Sequence, residues 1–275
     1  MNRGTHSGDL AEIDFVKRFN SEKNNQDFDF YIKDLDIKEL NDVYMVRVTT
    51  KQYSKLSNQT VMTRADTYLI NSKDQLINEL LFDNDFYLDE EMLNEKSINY
   101  SALDYSGVSV KMSDSSRFQI LKLTPESFKT LFGEYELGAG ASIYCLREEE
   151  IEKNESVFSG WKTTKQNVIN KYKNEIPDLN KLNDNINLIE QMKIYKELKE
   201  FSNKRIAEII NNDKHMKEII FNGYHIYNEP YSASYFYKGG RIQRLNYVPF
   251  SVTTGSGRSH GDFTIVLKPK NETIE

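Results

Sequence analysis

The sequence predicts an α/β fold, with a mixed β-sheet core flanked by helices, then a helical segment and a β-rich C-terminal part. The main observation is a set of three segments, residues 43–50, 61–70 and 105–112, which are rich in β-branched and aromatic residues and read as strands. An amphipathic helical pattern precedes them, and a helix start signal follows them. The order helix, three strands, helix, strand is typical of an α/β core with a mixed sheet.

The first helix is predicted to begin at Asp9. Asp9 and Glu12 match the N-cap and N3 positions of a capping box. Apolar residues then recur at helical spacing, as expected for a helix with one buried face. These residues are Leu10, Ile13, Val16 and Phe19.

The strands are connected by polar segments. Residues 51–60 are turn-like, so residues 43–50 and 61–70 are predicted to form a hairpin. Residues 74–97 carry many acids and no Arg, which predicts helix or a surface insertion of about residues 74–100 before the third strand.

A second helix is predicted to start at Thr124, where a hydroxyl N-cap is followed by proline and then by an acid. Gly133 is well placed to end it. Residues 136–140 read as a glycine-rich turn, and residues 142–146 as an apolar strand that buries the thiol of Cys145.

The longest helical pattern covers residues 179–220, with a break expected at Ser202 and Asn203. Core packing and a dimer seam both explain its apolar stripe. From residue 224 the chain becomes β-rich and ends in a strand at residues 262–267. We expect a core at residues 1–150 and a C-terminal part at residues 151–275, together forming one compact unit.

Composition limits the kind of protein. The net charge is −6, and hydrophobic residues make up 38% of the chain, which fits a globular protein. No apolar run reaches the length of a membrane span, and the first residues do not resemble a secretory signal. The single cysteine fits a reducing compartment, so we expect a cytoplasmic protein.

One acid and one lysine in neighbouring predicted strands carry the chemistry. Asp66 lies in the second strand and Lys111 ends the third. Because side chains alternate along a strand, Ser109 and Lys111 share a face. A carboxylate beside a lysine can hold a divalent cation and a phosphate, and Mg²⁺ needs only one or two carboxylates when a phosphate also binds.

This arrangement resembles the PD-(D/E)XK nuclease superfamily, and within it the type II restriction endonucleases, over about residues 9–146. The resemblance implies a restriction-endonuclease-like fold and Mg²⁺-dependent hydrolysis of double-stranded DNA. Two positions depart from the motif: Ala65 stands where the family has proline, and Ser109 stands where it has an acid.

Ser109 removes one carboxylate from the motif, so another acid is needed. Some members with Ser-x-Lys supply it from the helix that follows, which points to Glu126. Others supply it from the helix before the sheet, which points to Glu12. Both stay open, because Glu126 also suits a helix N-terminus and Glu12 also suits a capping box.

Contacts to DNA need cations on phosphates and side chains that reach base edges. Two candidates are Arg117, which follows the predicted strand that ends in Lys111, and Lys162, which lies near Trp161 in the sequence. The other candidates lie in the basic C-terminal part, and they are Arg241, Arg244, Arg258 and His260. Because restriction sites are commonly palindromic, a homodimer is expected.

Two alternatives remain beside restriction. One is a repair nuclease of the same superfamily that acts on branched or damaged DNA. The other is a non-catalytic DNA- or protein-binding module with a degenerate nuclease fold. The two departures from the motif, Ala65 and Ser109, favour this alternative. The scattered histidines and single cysteine lack zinc spacing, and no phosphate-loop or nucleophile-elbow pattern occurs.

Overall fold

A computed structural model describes most of the 275-residue chain. The described ranges are residues 3–48, 65–88, 90–111, 119–222, 233–244, 249–254 and 263–270. The chain forms two compact units, each built from two separate stretches. Unit 1 comprises Met1–Ser116 and Glu218–Tyr247, and unit 2 comprises Arg117–Lys217 and Val248–Glu275. This division differs from the predicted boundary at residue 150 and from the predicted single compact unit.

Unit 1 is a mixed sheet with helices against it. Its described helices are α1 (Arg3–Ser21), a 3-10 turn (Gln26–Phe28), α2 (Asp29–Asp34), α3 (Ile77–Asp83) and α4 (Glu90–Glu95). Its described strands are β1 (Val43–Arg47), β2 (Thr67–Asn71), β3 (Ser101–Ala102), β4 (Gly107–Val110), β6 (Ala233–Lys238) and β7 (Arg241–Arg244).

The sheet of unit 1 has the strand order β1-β2-β4-β6-β7, with β3 paired to β2. All pairs are antiparallel except β4 with β6, which is parallel. A parallel pair needs a crossover connection, and here the first stretch of unit 2 lies within that connection. The mixed sheet predicted from the sequence is therefore present.

Helix α1 covers one face of this sheet. Of the predicted apolar stripe, Val16 and Phe19 are fully buried, whereas Leu10 is exposed. Phe15, which was not part of that stripe, is also buried and joins one core with Met45 and Val108. Residue Arg3 is already helical, so Asp9 lies inside helix α1 and the predicted capping box is wrong. The two acids of that predicted box bind an arginine of the sheet instead.

Unit 2 is mainly helical. Its helices are α5 (Pro125–Phe132), α6 (Glu136–Ser142), α7 (Asn154–Gly160), α8 (Lys165–Tyr172), α9 (Leu188–Asn212) and α10 (Lys214–Asn222), the last of which runs on into unit 1, with 3-10 turns at Glu148–Lys153 and Pro177–Asn183. Within the described residues its strands are β5 (Leu121–Leu123), β8 (Phe250–Thr254) and β9 (Ile265–Pro269), paired antiparallel in the order β5-β9-β8.

Helix α5 confirms the start and stop signals read from the sequence. The Thr124 hydroxyl accepts a hydrogen bond from the Ser127 amide at 3.3 Å, and Gly133 ends the helix with φ of 79°. Glycine is favoured at this position because it has no side chain to clash when φ is positive.

The segment at residues 136–146 corrects the sequence analysis. The predicted glycine-rich turn is helix α6, and residues 143–146 form no strand. The glycines are needed for close packing, since a Cβ on Gly138 would lie 2.2 Å from Trp161 Cζ3 and one on Gly140 would lie 2.3 Å from Ser202 Oγ. The predicted burial of Cys145 is confirmed.

Helix α9 corrects the predicted break. It runs unbroken through Ser202, which is fully buried, and ends at Asn212. The apolar stripe packs inside unit 2, with Ile194, Leu198 and Ile206 buried. Ile189, at the start of the helix, is 73% exposed.

None of the helices in the described ranges is long and apolar enough to cross a membrane.

Candidate active site at one edge of the unit 1 sheet

Three strands of unit 1 bring polar residues to the same edge of the sheet. Strand β1 ends with Arg47, which pairs with Thr67 at the start of β2. Thr67 also pairs with Val108 of β4, and β4 runs from there toward Lys111. Because β2 is antiparallel to both neighbours, its start lies beside their ends. Asp66 directly precedes β2 and therefore lies at this edge.

Asp66 is held by the residues that end β4. Its Oδ2 accepts hydrogen bonds from the Val110 amide at 2.7 Å and from the Ser109 hydroxyl at 3.0 Å. Its own amide donates to the carbonyl of Val108 at 2.9 Å. The carboxylate thus has a fixed position although its side chain is 31% exposed.

Lys111 completes this group. Its ammonium donates to the Ser109 hydroxyl at 2.6 Å and lies 3.9 Å from Asp66 Oδ2. The Ser109 hydroxyl therefore accepts from the lysine and donates to the aspartate, which links the two charges. The structure confirms the predicted positions: Asp66 lies beside Lys111, and Ser109 shares a face with Lys111.

Glu12 reaches the same edge from helix α1. Its Oε2 accepts from Nη2 of Arg47 at 2.9 Å and from Nε at 3.2 Å. Asp9, one helical turn earlier, lies 3.4 Å from the same guanidinium. Arg47 is 2% exposed, and its guanidinium carbon lies 4.1 Å from the centre of the Tyr87 ring. The arginine therefore fixes Glu12 against the sheet.

Burial and a like charge determine the acidity of Glu12. Burial, and after it the negative charge of Asp66, raise the pKa of Glu12 from 4.5 to about 7, although Arg47 lowers it. An ion pair with arginine alone would lower the pKa of a carboxyl group. Here burial and the repulsion from Asp66 outweigh the arginine, and Glu12 and Asp66 are close enough for their charges to interact.

The carboxylates of Glu12 and Asp66 suit a divalent cation. Mg²⁺ prefers oxygen ligands, keeps several waters, and binds through one or two carboxylates together with a substrate phosphate. A cation between these acids would remove the repulsion that raises the pKa of Glu12. No group of three or more His, Cys, Asp or Glu side chains suited to a metal occurs among the described residues, so this donor set has only two carboxylates.

Glu126 is in different surroundings. It lies in helix α5 of unit 2, where it forms an ion pair with Lys162, and both side chains are more than half exposed. The hydrogen bond from Lys162 lowers the pKa of Glu126. Of the two acids left open by the sequence, Glu12 is the one that interacts with Asp66 in unit 1. Lys162, predicted to contact DNA, has Glu126 as its partner.

Of the five remaining residues that were predicted to contact DNA, the structure describes two, Arg241 and Arg244. Arg241 is exposed on β7, while Arg244 donates to Asp34 Oδ2 at 2.6 Å. They are three residues apart on one strand and face opposite sides, as predicted. The other three candidates, Arg117, Arg258 and His260, lie outside the described residues.

Sequence reasoning missed Arg47 and Tyr87. The signal for Arg47 was present, since it follows Val43, Met45 and other apolar residues at an inward-facing position of a strand. A buried arginine requires an anionic partner, and that requirement pointed to nearby acids. Tyr87 carried no such signal, because its contact with Arg47 depends on the fold of the acidic segment.

No protein-family model, no curated protein and no solved structure matches the chain.

Proposed function

We propose that the chain is a Mg²⁺-dependent, sequence-specific endonuclease of restriction type that cleaves double-stranded DNA. One observation carries this proposal: Ser109 holds Asp66 and Lys111 together at the end of β4, and Glu12 of α1 is near enough to Asp66 for their charges to interact. Two acids can hold a metal ion that activates water for phosphodiester hydrolysis, and a lysine beside them can stabilise charge on the phosphate. The resemblance of the motif to PD-(D/E)XK nucleases adds support.

Each residue has a role in this proposal. Asp66 and Glu12 would hold Mg²⁺, which would lower the pKa of a bound water and neutralise charge on the phosphate. Lys111 orients the attacking water and balances negative charge on the phosphate as it develops. Ser109 sets the direction of the lysine, since it accepts the 2.6 Å hydrogen bond from the ammonium.

Arg47 has a supporting role. It is buried, donates two hydrogen bonds to one oxygen of Glu12 and directs that carboxylate toward the sheet edge. The arginine is a positioning residue, because its guanidinium acts on the reaction through Glu12. A homodimer is part of the proposal, because a palindromic site calls for two copies related by two-fold symmetry.

The test is digestion of a plasmid of known sequence by the purified protein, with Mg²⁺ and with EDTA. Wild type is expected to give discrete fragments only with Mg²⁺. Asp66→Asn and Lys111→Met keep the size of each side chain and should lower the cleavage rate by about 100-fold or more. Asp14→Asn, an exposed acid of the same unit, is the matched control and should cleave like wild type.

Three other outcomes would change the proposal. Cleavage without site preference would favour a repair nuclease, and metal-independent DNA binding without cleavage would favour a non-catalytic module. Cleavage that survives in Asp66→Asn would show that another acid holds the metal. Circular dichroism and thermal melting of each variant ensure that a lost activity is not a lost fold.

A further inference from the structure

The hairpin of β6 and β7 places two cations side by side next to the candidate active site. Gly239 and Gly240 form its two-residue turn, with φ of 59° and 85°. Two positive φ values in succession are characteristic of the tight type I′ hairpin turn, which fixes the register of the strands. Lys238 and Arg241 are consequently direct partners. Such partners have Cβ atoms about 4.5–5.5 Å apart on the same face.

That face is the one opposite helix α1. Tyr237 stacks on Phe15 of α1 with ring centres 4.2 Å apart, so Tyr237 points toward the helix. Its partner on β7, Ile242, is buried on the same side. Because side chains alternate, Lys238 and Arg241 point to the other side.

Lys111 belongs to the same row. Val110 pairs with Tyr237 in the parallel ladder, and the Lys111 amide donates to the Tyr237 carbonyl at 2.9 Å. Lys111 therefore lies level with Lys238, on the face opposite α1. Neighbouring strands are about 4.8 Å apart, so Lys111, Lys238 and Arg241 extend over about 10 Å of the sheet edge on three adjacent strands.

We infer that Lys238 and Arg241 bind the phosphates of the DNA strand beside the scissile phosphate, so that the DNA backbone runs from the Asp66–Lys111 cluster across β6 to β7. This inference rests on the proposed function and adds the path of the substrate. Phosphates repeat along a DNA strand. A row of cations on successive β-strands offers a partner to more than one of these phosphates.

The charge of the whole chain makes this local row important. At a net charge of −6 the chain as a whole repels a polyanion, so attraction must come from a particular face.

The test measures DNA binding separately from cleavage. The double variant Lys238→Gln/Arg241→Gln is compared with wild type by fluorescence anisotropy on a labelled duplex, in EDTA, over a series of salt concentrations. Each phosphate contact contributes about 0.9 to the slope of log K against log salt, so the variant should lose about 1.8 in slope and about 10- to 60-fold in affinity near 0.1 M salt. With Mg²⁺, its KM should rise while the rate at saturating DNA stays within about twofold of wild type.

The matched control is Lys17→Gln/Lys33→Gln, which removes the same charge from exposed positions on α1 and α2 of the same unit. An unchanged slope in the Lys238/Arg241 variant, or an equal loss in the control, would overturn the inference and leave the nuclease proposal standing. Wild type that neither binds nor cleaves duplex DNA would overturn both. A lower rate at saturating DNA with unchanged affinity would also contradict the inference, because the two cations would then act on the chemistry.

Discussion

At the scale of single residues, the unusual feature of the site is the hydroxyl of Ser109 between two charged groups. It accepts from Lys111 and donates to Asp66, so it orients both with one atom. An acid at this position would add a carboxylate next to Asp66 Oδ2, 3.0 Å away. The serine orients the lysine and the aspartate without adding a negative charge, and in the proposed metal site Glu12 of α1 would supply the second acid.

Ser109→Ala is expected to slow cleavage without abolishing it. A hydrogen bond to a charged group contributes about 1.5–3 kcal/mol, which corresponds to about 10- to 100-fold in rate if it is lost only in the transition state. Asp66 keeps its 2.7 Å bond from the Val110 amide, so the site stays assembled. Single-turnover cleavage measures the effect, with the exposed Ser101→Ala as control. A wild-type rate in Ser109→Ala would mean that the hydroxyl has no part in orienting Lys111.

Glu12→Gln is expected to change how stability depends on pH. The pKa of Glu12 is raised from 4.5 to about 7, mainly by burial. Between these values the folded chain holds a proton that the unfolded chain has released, so the stability of wild type falls as pH rises through this window. Glutamine binds no proton there, and the variant should gain on wild type by on the order of 2 kcal/mol between about pH 5 and pH 8.

Urea denaturation in EDTA at several pH values measures this difference, because EDTA removes cations that would lower the pKa of Glu12. Asp14→Asn, two residues further along α1 and exposed, controls for the loss of one acid from the helix. Parallel stability profiles for wild type and Glu12→Gln would show that Glu12 titrates alike in the folded and unfolded chain.

At the scale of secondary-structure elements, close packing through glycine holds α6 in unit 2. A Cβ on Gly138 would lie 2.2 Å from Trp161 Cζ3, and the indole is itself fully buried and donates to the Ser142 hydroxyl at 2.9 Å. Trp161 therefore has no room to move away. The sequence signal of two glycines in five residues reflects this contact between elements.

Gly138→Ala is expected to destabilise the protein by about 1–3 kcal/mol, because overpacking a buried contact outweighs the better helix propensity of alanine. Gly8→Ala in α1 is the matched control, since a Cβ there meets nothing within 4 Å. That substitution should stabilise by up to about 1 kcal/mol. Denaturant unfolding of both variants measures the contrast, and a Gly138→Ala protein as stable as wild type would contradict it.

The sequence predicted features that depend on neighbouring residues, and it did not predict those that depend on contacts between distant elements. Thr124, Pro125 and Gly133 gave the bounds of α5, because capping is a local property of the chain. The prediction of a turn at residues 136–140 is wrong, because the two glycines allow close packing against Trp161 and Ser202, which are distant in sequence. Likewise, Asp66, Ser109 and Lys111 were found from strand alternation, whereas the link from Glu12 to Arg47 depends on how α1 packs on the sheet.

At the scale of the whole molecule, unit 1 is completed only after the first stretch of unit 2 has been made. Strand β4 ends at Val110, and its parallel neighbour β6 begins at Ala233, with residues 117–217 of unit 2 between them. The candidate site at the end of β4 lies where the chain leaves unit 1, and Lys238 lies where it has returned. Each unit nevertheless has its own buried core, which leads to a prediction about cooperativity.

Leu69→Ala and Leu198→Ala are expected to loosen different parts of the molecule. Both leucines are fully buried, Leu69 in β2 of unit 1 and Leu198 in α9 of unit 2. Removing such a side chain costs about 2–5 kcal/mol, and the cost applies to the cooperative unit that contains the cavity. Hydrogen exchange followed by mass spectrometry should show faster exchange in β1, β2 and β4 for Leu69→Ala, and in α6 and α9 for Leu198→Ala. Faster exchange throughout the chain in both variants would mean that the two cores unfold as one, and that the folding of the candidate active site depends on the inserted unit.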